Sequence, residues 1–110
     1  SNNSSTITAI SNDFSFDLVF SRQCESLISK GDVVIGISTS GNSLNVKKGI
    51  NTSKKNGAIT IGLLGNKGGS IKKCVDIPLI VNSTSTPHIQ EVHRTIYHII
   101  CEIVEKKLVE

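Results

Sequence analysis

Runs of apolar residues without polar alternation predict the strands of this chain. The segments 33–37 and 58–63 are rich in β-branched residues, as is typical of parallel strands that are covered on both faces. A third strand is expected at 77–81. Pro78 favours the edge of the sheet for this strand, because proline has no N–H group for the hydrogen-bond ladder.

Apolar residues at helical spacing predict the helices that connect these strands. The longest pattern runs to the end of the chain, and Gly57 is a typical residue to end the helix before the second strand. Ser70 is expected to cap a short helix. Alternating strands and helices indicate an α/β fold, a parallel sheet with flanking helices. The predicted helices are 5–10, 16–28, 45–56, 71–75 and 88–109.

The last helix has one apolar face and one polar face on a wheel of 100° per residue. His93 flanks the apolar face, which predicts a partly buried histidine in the core. His98 lies on the polar face, where an ordinary surface residue is the simplest interpretation. The predicted core face consists of Ile89, Val92, Ile96, Ile99, Ile100 and Ile103.

A turn rich in hydroxyl groups, Gly36 to Ser43, lies between the first predicted strand and the next helix. The first N–H groups of a helix lack intrahelical acceptors and carry partial positive charge, so this junction favours an anion. No lysine or arginine lies within the turn, so a phosphate would be bound there by dipoles and hydroxyls. The alternative is a helix N-cap with additional serines. The predicted phosphate ligands are Ser38, Thr39, Ser40 and Ser43.

Composition excludes several other functions. A chain of 110 residues forms at most one domain, and its net charge of +3 comes with scattered lysine pairs and few aromatic residues, which does not indicate nucleic-acid binding. Cys24, Cys74 and Cys101 lack the spacing of a disulfide framework or zinc knuckle, which favours the cytoplasm. No apolar run has the length of a membrane span. The polar start lacks an initiator methionine, as though the chain were cut from a longer one.

Several motifs in this chain resemble those of sugar isomerase (SIS) domain proteins, and among them the phosphoheptose isomerase family. The resemblance covers nearly the whole chain from Ser5, so residues 1–110 are interpreted as the C-terminal part of one SIS domain. The motifs are Gly31-Asp32-Val33-Val34-Ile35-Gly36-Ile37-Ser38-Thr39-Ser40-Gly41-Asn42-Ser43, Asn12-Asp13-Phe14, Thr60-Ile61-Gly62-Leu63, Gly68-Gly69, and Ile89-Gln90-Glu91 with His93 and His98.

The resemblance implies interconversion of sedoheptulose 7-phosphate and D-glycero-D-manno-heptose 7-phosphate, a step toward the heptose of lipopolysaccharide. It assigns the phosphate to the hydroxyl turn and the substrate hydroxyls to Asp13. It places Gln90 in the substrate site and makes His98 a catalytic acid or base. Some family members bind zinc through the positions of Gln90 and His98, so zinc is an expected cofactor. A homotetramer is also implied.

The resemblance further implies that part of the catalytic machinery lies outside this chain. Family members begin with additional helices, a first strand, a second phosphate turn and a helix that bears the catalytic glutamate. The 110-residue chain by itself is therefore expected to be inactive. The alternative is a non-catalytic SIS module that senses a sugar phosphate or associates with a replication initiator. Such a module would keep the hydroxyl turn but would not need Gln90 and His98.

Overall fold

The computed structural model describes residues 6–10 and 27–109, which form a four-stranded parallel sheet with helices on its faces. The strands lie in the order β1-β2-β3-β4. Leu64 pairs with Ser38, and Gly65 pairs with Val81, so the carboxyl ends of β2, β3 and β4 meet at one edge of the sheet. The elements are β1 (Thr6–Ile10), β2 (Val33–Ser38), α1 (Leu44–Lys55), β3 (Ile59–Gly65), a 3-10 helix (Ile71–Lys73), β4 (Ile77–Val81) and α2 (Thr86–Val109).

The structure confirms the α/β class and the three predicted strands within two residues at each end. Pro78 is the second residue of β4, at the edge of the described sheet, as its missing N–H predicts. The helix predicted at 45–56 is α1, and the helix predicted at 88–109 is α2.

The helix predicted at 5–10 is wrong, because Thr6–Ile10 forms strand β1. This strand pairs in parallel with β2, from Thr6 opposite Val33 to Ile10 opposite Ile37. Pairing along an existing strand outweighs a weak helical pattern in so short a segment, and its threonines and isoleucines favour the extended state. The helix predicted at 16–28 lies outside the described residues except for its last two positions.

The segment after β3 also differs from its prediction. The helix expected at 71–75 is a 3-10 helix over Ile71–Lys73, and the side chain of Ser70 forms no capping hydrogen bond to it. The Cys74 amide donates to the Ile71 carbonyl at 2.8 Å, which is the i→i+3 bond of the tighter form, whereas the i→i+4 bond from the Val75 amide to the same carbonyl is longer, at 3.3 Å. Ile71 is nevertheless fully buried, so this short helix is fixed by its packing in the core.

Helices α1 and α2 pack on opposite faces of the sheet, and glycines let them approach. A side chain at Gly36 would meet Ile50 and Val46 of α1, whereas one at Gly65 would meet Ile89 of α2. Gly36 pairs with Gly62, which is an odd number of residues from Gly65, so Gly36 and Gly65 face opposite sides. The core on the α1 side comprises Val46, Ile50, Leu64, Ile71 and Val75, with a second cluster of Ile28, Val34 and Ala58.

The predicted core face of α2 is only partly correct. Ile89 is fully buried, but Ile99 and Ile103 are 49% and 53% exposed. A helix of 24 residues is about 36 Å long, whereas the seven residues of β3 span about 23 Å. The C-terminal turns of α2 therefore extend beyond the sheet that covers its beginning.

The amino ends of β3 and β4 are joined by Asp76. The amide and the hydroxyl of Thr60 donate to Asp76 Oδ2 over 2.8 and 2.9 Å, and the Thr60 hydroxyl accepts from the Asp76 amide at 3.0 Å. The backbone and side-chain hydrogen bonds from Thr60 lower the pKa of Asp76, with a smaller contribution from Lys54. Asp76 is exposed, so water screens its charge and the contact contributes little to stability. Its role is to hold the amino ends of β3 and β4 in register.

Candidate functional site

The hydroxyl turn follows the carboxyl end of β2 and leads into α1. Ser43 is the N-cap of α1, and its hydroxyl accepts from the Val46 amide at 3.4 Å. The Ser38 hydroxyl accepts from the amides of Gly41 and Ser43 at 3.1 and 3.4 Å. The Ser40 hydroxyl accepts from the Asn42 amide at 3.0 Å. Serine oxygens therefore accept from backbone N–H groups of the turn and of the first turn of α1.

The four predicted phosphate ligands share this turn but differ in exposure. Ser38 is buried, Thr39 and Ser43 are partly buried, and Ser40 is exposed. The hydroxyl oxygens of Ser38 and Ser40 are 3.5 Å apart. Each of these two oxygens also accepts from an amide, and either hydroxyl can donate to the other. Ser40 is thus the hydroxyl that an incoming ligand meets first, and Ser38 supports it from inside.

The loop after β3 packs against the hydroxyl turn. The Ile71 amide donates to the Gly41 carbonyl at 2.9 Å, and the Ser70 amide donates to Asn42 Oδ1 at 2.8 Å. Gly41 has a φ of +73°, and a side chain there would overlap the backbone of Gly68. Only glycine fits both the left-handed conformation and this close approach. The resemblance singled out Gly68-Gly69, and the structure brings these glycines into contact with the turn.

A cleft of about 580 Å³ lies at the carboxyl edge of the sheet, beside this turn. In open α/β sheets ligands bind at this edge. Lys67 brings a positive charge to the lining from outside the hydroxyl turn. The lining residues are Ser40, Asn42, Asn66, Lys67, Gly69, Asn82, Ser83 and Thr84.

Sequence reasoning missed five of these lining residues: Asn66, Lys67, Asn82, Ser83 and Thr84. Residues 66–67 come directly after β3, and 82–84 come directly after β4. Because the carboxyl ends of parallel strands meet at one edge, polar residues after each strand were a usable signal.

The other predicted site residues lie on α2 or outside the described residues. Gln90 and His98 are both exposed on α2, and Asp13 falls in the part of the chain that the structure leaves undescribed. Gln90 is about 6 Å along the helix axis from Thr86, and His98 is about 18 Å along it, at 1.5 Å per residue. The cleft ends at Thr84, just before α2 begins. Gln90 therefore lies near the beginning of α2, and His98 lies about 12 Å farther along the helix axis.

Zinc requires more ligands than the described residues supply. Gln90 and His98 offer two donors, whereas zinc sites in proteins are usually four-coordinate. Within residues 6–10 and 27–109, no group of three or more His, Cys, Asp or Glu side chains is arranged to hold a metal ion. The two exposed side chains of α2 can contribute to a zinc site only if further ligands come from another segment or another subunit.

His93 is the buried histidine that the helical wheel predicts. It is 3% exposed, and its Nε2 lies 2.7 Å from the Leu64 carbonyl, so Nε2 carries the hydrogen and donates. Its Nδ1 is buried without a hydrogen-bond partner among the described residues. Burial lowers the pKa of His93, and the bond to Leu64 opposes this effect in part. A neutral His93 thus fixes the first turns of α2 against the end of β3.

No helix among the described residues is both long and apolar enough to span a membrane.

Comparisons with known proteins agree with this architecture. The SIS domain family model matches residues 6–98. The chain is 56% identical over 104 residues to a phosphoheptose isomerase of Geobacter sulfurreducens, covering 94% of this chain and 55% of the relative. It is 54% identical over 108 residues to a phosphoheptose isomerase of Trichlorobacter lovleyi, covering 98% and 55%. The chain thus spans about half the length of the curated relatives it matches.

Solved structures give the same result. The structure of a phosphoheptose isomerase from Neisseria gonorrhoeae superposes with a TM-score of 0.78 at 40% identity, covering 84% of this chain and 53% of that one. The structure of a phosphoheptose isomerase from Francisella tularensis superposes with a TM-score of 0.78 at 31% identity, covering 83% and 49%.

Proposed function

The chain belongs to the SIS domain family, and we propose that it forms part of an isomerase that interconverts sedoheptulose 7-phosphate and D-glycero-D-manno-heptose 7-phosphate. The observation that carries the proposal is the cleft beside the hydroxyl turn, with Lys67 in its lining. The names of the relatives and of the two solved structures support the choice of a heptose phosphate.

The phosphate binds at the hydroxyl turn in this proposal. Ser40 presents an exposed hydroxyl, and the N-terminus of α1 directly after Ser43 adds the partial positive charge of the helix dipole. Lys67 adds one full charge from the opposite loop. Hydrogen bonds to a charged group contribute more than those between neutral groups, so the serine hydroxyls contribute most of the discrimination for phosphate over a neutral sugar.

The reaction moves a proton between two adjacent carbons, so it needs a base, an acid and a group that stabilises the enediolate. We assign an acid–base role to His98 and a substrate contact to Gln90. His98 lies about 18 Å along α2 from the start of the helix, and in this proposal it acts in the cleft of a neighbouring subunit of a homotetramer. The proposed substrate contact of Asp13 and a further catalytic carboxylate come from outside the described residues.

We propose zinc as a cofactor only if another segment or another subunit supplies the remaining ligands. Gln90 and His98 would hold part of its coordination sphere, and a bound zinc ion would polarise the substrate carbonyl. The cytoplasm remains the predicted location, and a role in supplying lipopolysaccharide heptose follows from the proposed product.

A turnover assay on a complete protein that carries this chain tests the proposal. The protein should convert sedoheptulose 7-phosphate to the aldose phosphate, and NMR measures this conversion. Replacing Ser40 and Ser43 together by alanine should raise KM at least tenfold, since each hydrogen bond to a charged group contributes roughly 1.5–3 kcal/mol. Ser29→Ala, an exposed serine before β2 and far from the cleft, is the matched control and should leave KM unchanged.

Two results would contradict the proposal in different ways. Unchanged phosphate-ester affinity in the double variant would show that the turn is not the phosphate site. Tight binding of the sugar phosphate without turnover by the complete wild-type protein would instead favour the non-catalytic SIS module.

A further inference from the structure

Asn66 connects the carboxyl ends of three strands. It directly follows β3 and has a φ of +56°. Its side-chain Nδ2 donates to the Thr39 carbonyl, just after β2, at 3.0 Å. Its backbone amide donates to the Ser83 carbonyl, just after β4, at 2.9 Å. Asparagine tolerates the left-handed conformation better than most residues. It can therefore adopt the positive φ at this position and also provide a side-chain N–H donor.

The bond to Thr39 determines the orientation of one peptide group in the hydroxyl turn. In a planar trans peptide the carbonyl of one residue and the N–H of the next point in opposite directions. Holding the Thr39 carbonyl toward Asn66 therefore also fixes the direction of the Ser40 amide. Ser40 is the exposed hydroxyl residue of the turn, so Asn66 controls the residue that meets the ligand first.

Other contacts fix the rest of the turn through backbone donors. The amides of Ile71 and Ser70 bond to Gly41 and Asn42, respectively. These two bonds lie on the helix side of Ser40, whereas the bond from Asn66 lies on its strand side. The peptide between Thr39 and Ser40 is thus held by the side chain of Asn66. A substitution can remove this side chain without changing the backbone conformation at position 66.

We propose that Asn66 is a positioning residue, which holds the Thr39–Ser40 peptide in the orientation that binds the phosphate. The inference rests on the proposed function, because it assumes that the hydroxyl turn binds phosphate. Asn66 acts through the turn and not by its own contact with the sugar.

Two substitutions at position 66 test this role in a complete protein that carries the chain. Asn66→Gly keeps the left-handed backbone and removes the donor. Asn66→Asp keeps the shape but points a carboxylate at the Thr39 carbonyl. Asn51→Asp, on the exposed side of α1, is the control for the change in net charge. Calorimetry with inorganic phosphate and steady-state kinetics with sedoheptulose 7-phosphate are the measurements.

We expect the substitutions at position 66 to weaken phosphate binding and to leave the rate of the chemical step nearly unchanged. Asn66→Gly should weaken inorganic phosphate binding and raise KM by roughly three- to tenfold, the effect of one net hydrogen bond. Asn66→Asp should have the larger effect, while kcat stays within about twofold and the melting temperature of Asn66→Gly changes little. Asn51→Asp should match the wild type in both affinities.

Three outcomes would overturn the inference. If the Asn66→Gly protein raises KM for the sugar phosphate but binds inorganic phosphate normally, Asn66 contacts the sugar directly. If both affinities are normal, the bond to Thr39 has no functional role. If the wild-type protein neither binds inorganic phosphate nor turns over the sugar phosphate, the proposed function fails first and the inference fails with it.

Discussion

Gly65→Ala should damage both the stability of the fold and the phosphate turn. A Cβ atom at position 65 would overlap the Thr39 carbonyl oxygen and lie 2.6 and 2.8 Å from two side-chain atoms of Ile89. Ile89 is fully buried, and Thr39 belongs to the turn, so neither neighbour can move without disturbing its own packing. Overpacking a core costs about 1–3 kcal/mol, and we expect about 3 kcal/mol here because a backbone atom is involved.

Two other glycines in the sheet are matched controls. A Cβ at Gly36 would lie 2.8 Å from side-chain atoms of Ile50 and Val46, within the core, on β2 and before the proposed phosphate ligands of residues 38–43. A Cβ at Gly62 would lie 3.1 Å or more from its neighbours. Gly36→Ala should therefore lose about 1–3 kcal/mol with an unchanged KM, and Gly62→Ala should lose less than about 1 kcal/mol.

Urea unfolding followed by circular dichroism measures the stability of these three variants, and steady-state kinetics on the complete proteins measures KM. Gly65→Ala should be the variant that changes both quantities. A Gly65→Ala protein that is as stable as Gly62→Ala, or that is destabilised with a normal KM, would refute the proposed coupling between β3 and the turn.

The remaining predictions concern His93 and His98 of α2. His98→Ala should lower kcat about 10²-fold or more with little change in melting temperature. A kcat near that of the wild type would instead show that His98 is an ordinary surface residue. His93→Ala should lower the free energy of unfolding by about 2–4 kcal/mol and retain measurable turnover. Because burial lowers the folded-state pKa of His93, its contribution to stability should be complete above its ordinary value of about 6.5 and should decline as the pH falls from there toward the folded-state pKa. Urea midpoints between pH 8 and 5 test this, and a His93→Gln protein with the same pH slope as the wild type would contradict it.

Strong local patterns made the central elements predictable from the sequence. Strands β2 and β3 are covered on both faces, so their sequences are continuous β-branched apolar runs. Such a run can be recognised without knowing which strand it pairs with. Thr6–Ile10 has only five residues, and its state is decided by the edge of β2 against which it pairs. Such pairing cannot be deduced from a local pattern, so the strand was predicted as a helix.

The candidate site was predictable only where it is continuous in sequence. The turn from Ser38 to Ser43 lies within one segment, and its hydroxyls are visible without a structure. Asn66 and Lys67 come to the same cleft because Leu64 pairs with Ser38, a register that the sequence does not state. The exposure of His98 followed from the wheel, but its distance from the cleft depends on where α2 begins relative to β4.

The form of the turn also determines how a phosphate would bind to it. The amides of Gly41, Asn42 and Ser43 already donate to the oxygens of Ser38 and Ser40, so a phosphate that bound to them would exchange these internal bonds for bonds to the anion. Such an exchange requires little reorganisation of the backbone, because the bonds from the loop after β3 hold the turn in place. The charge of Lys67 is exposed and is screened over about 8 Å at physiological ionic strength. In the proposed site, directional hydrogen bonds would therefore contribute most of the affinity for a phosphate.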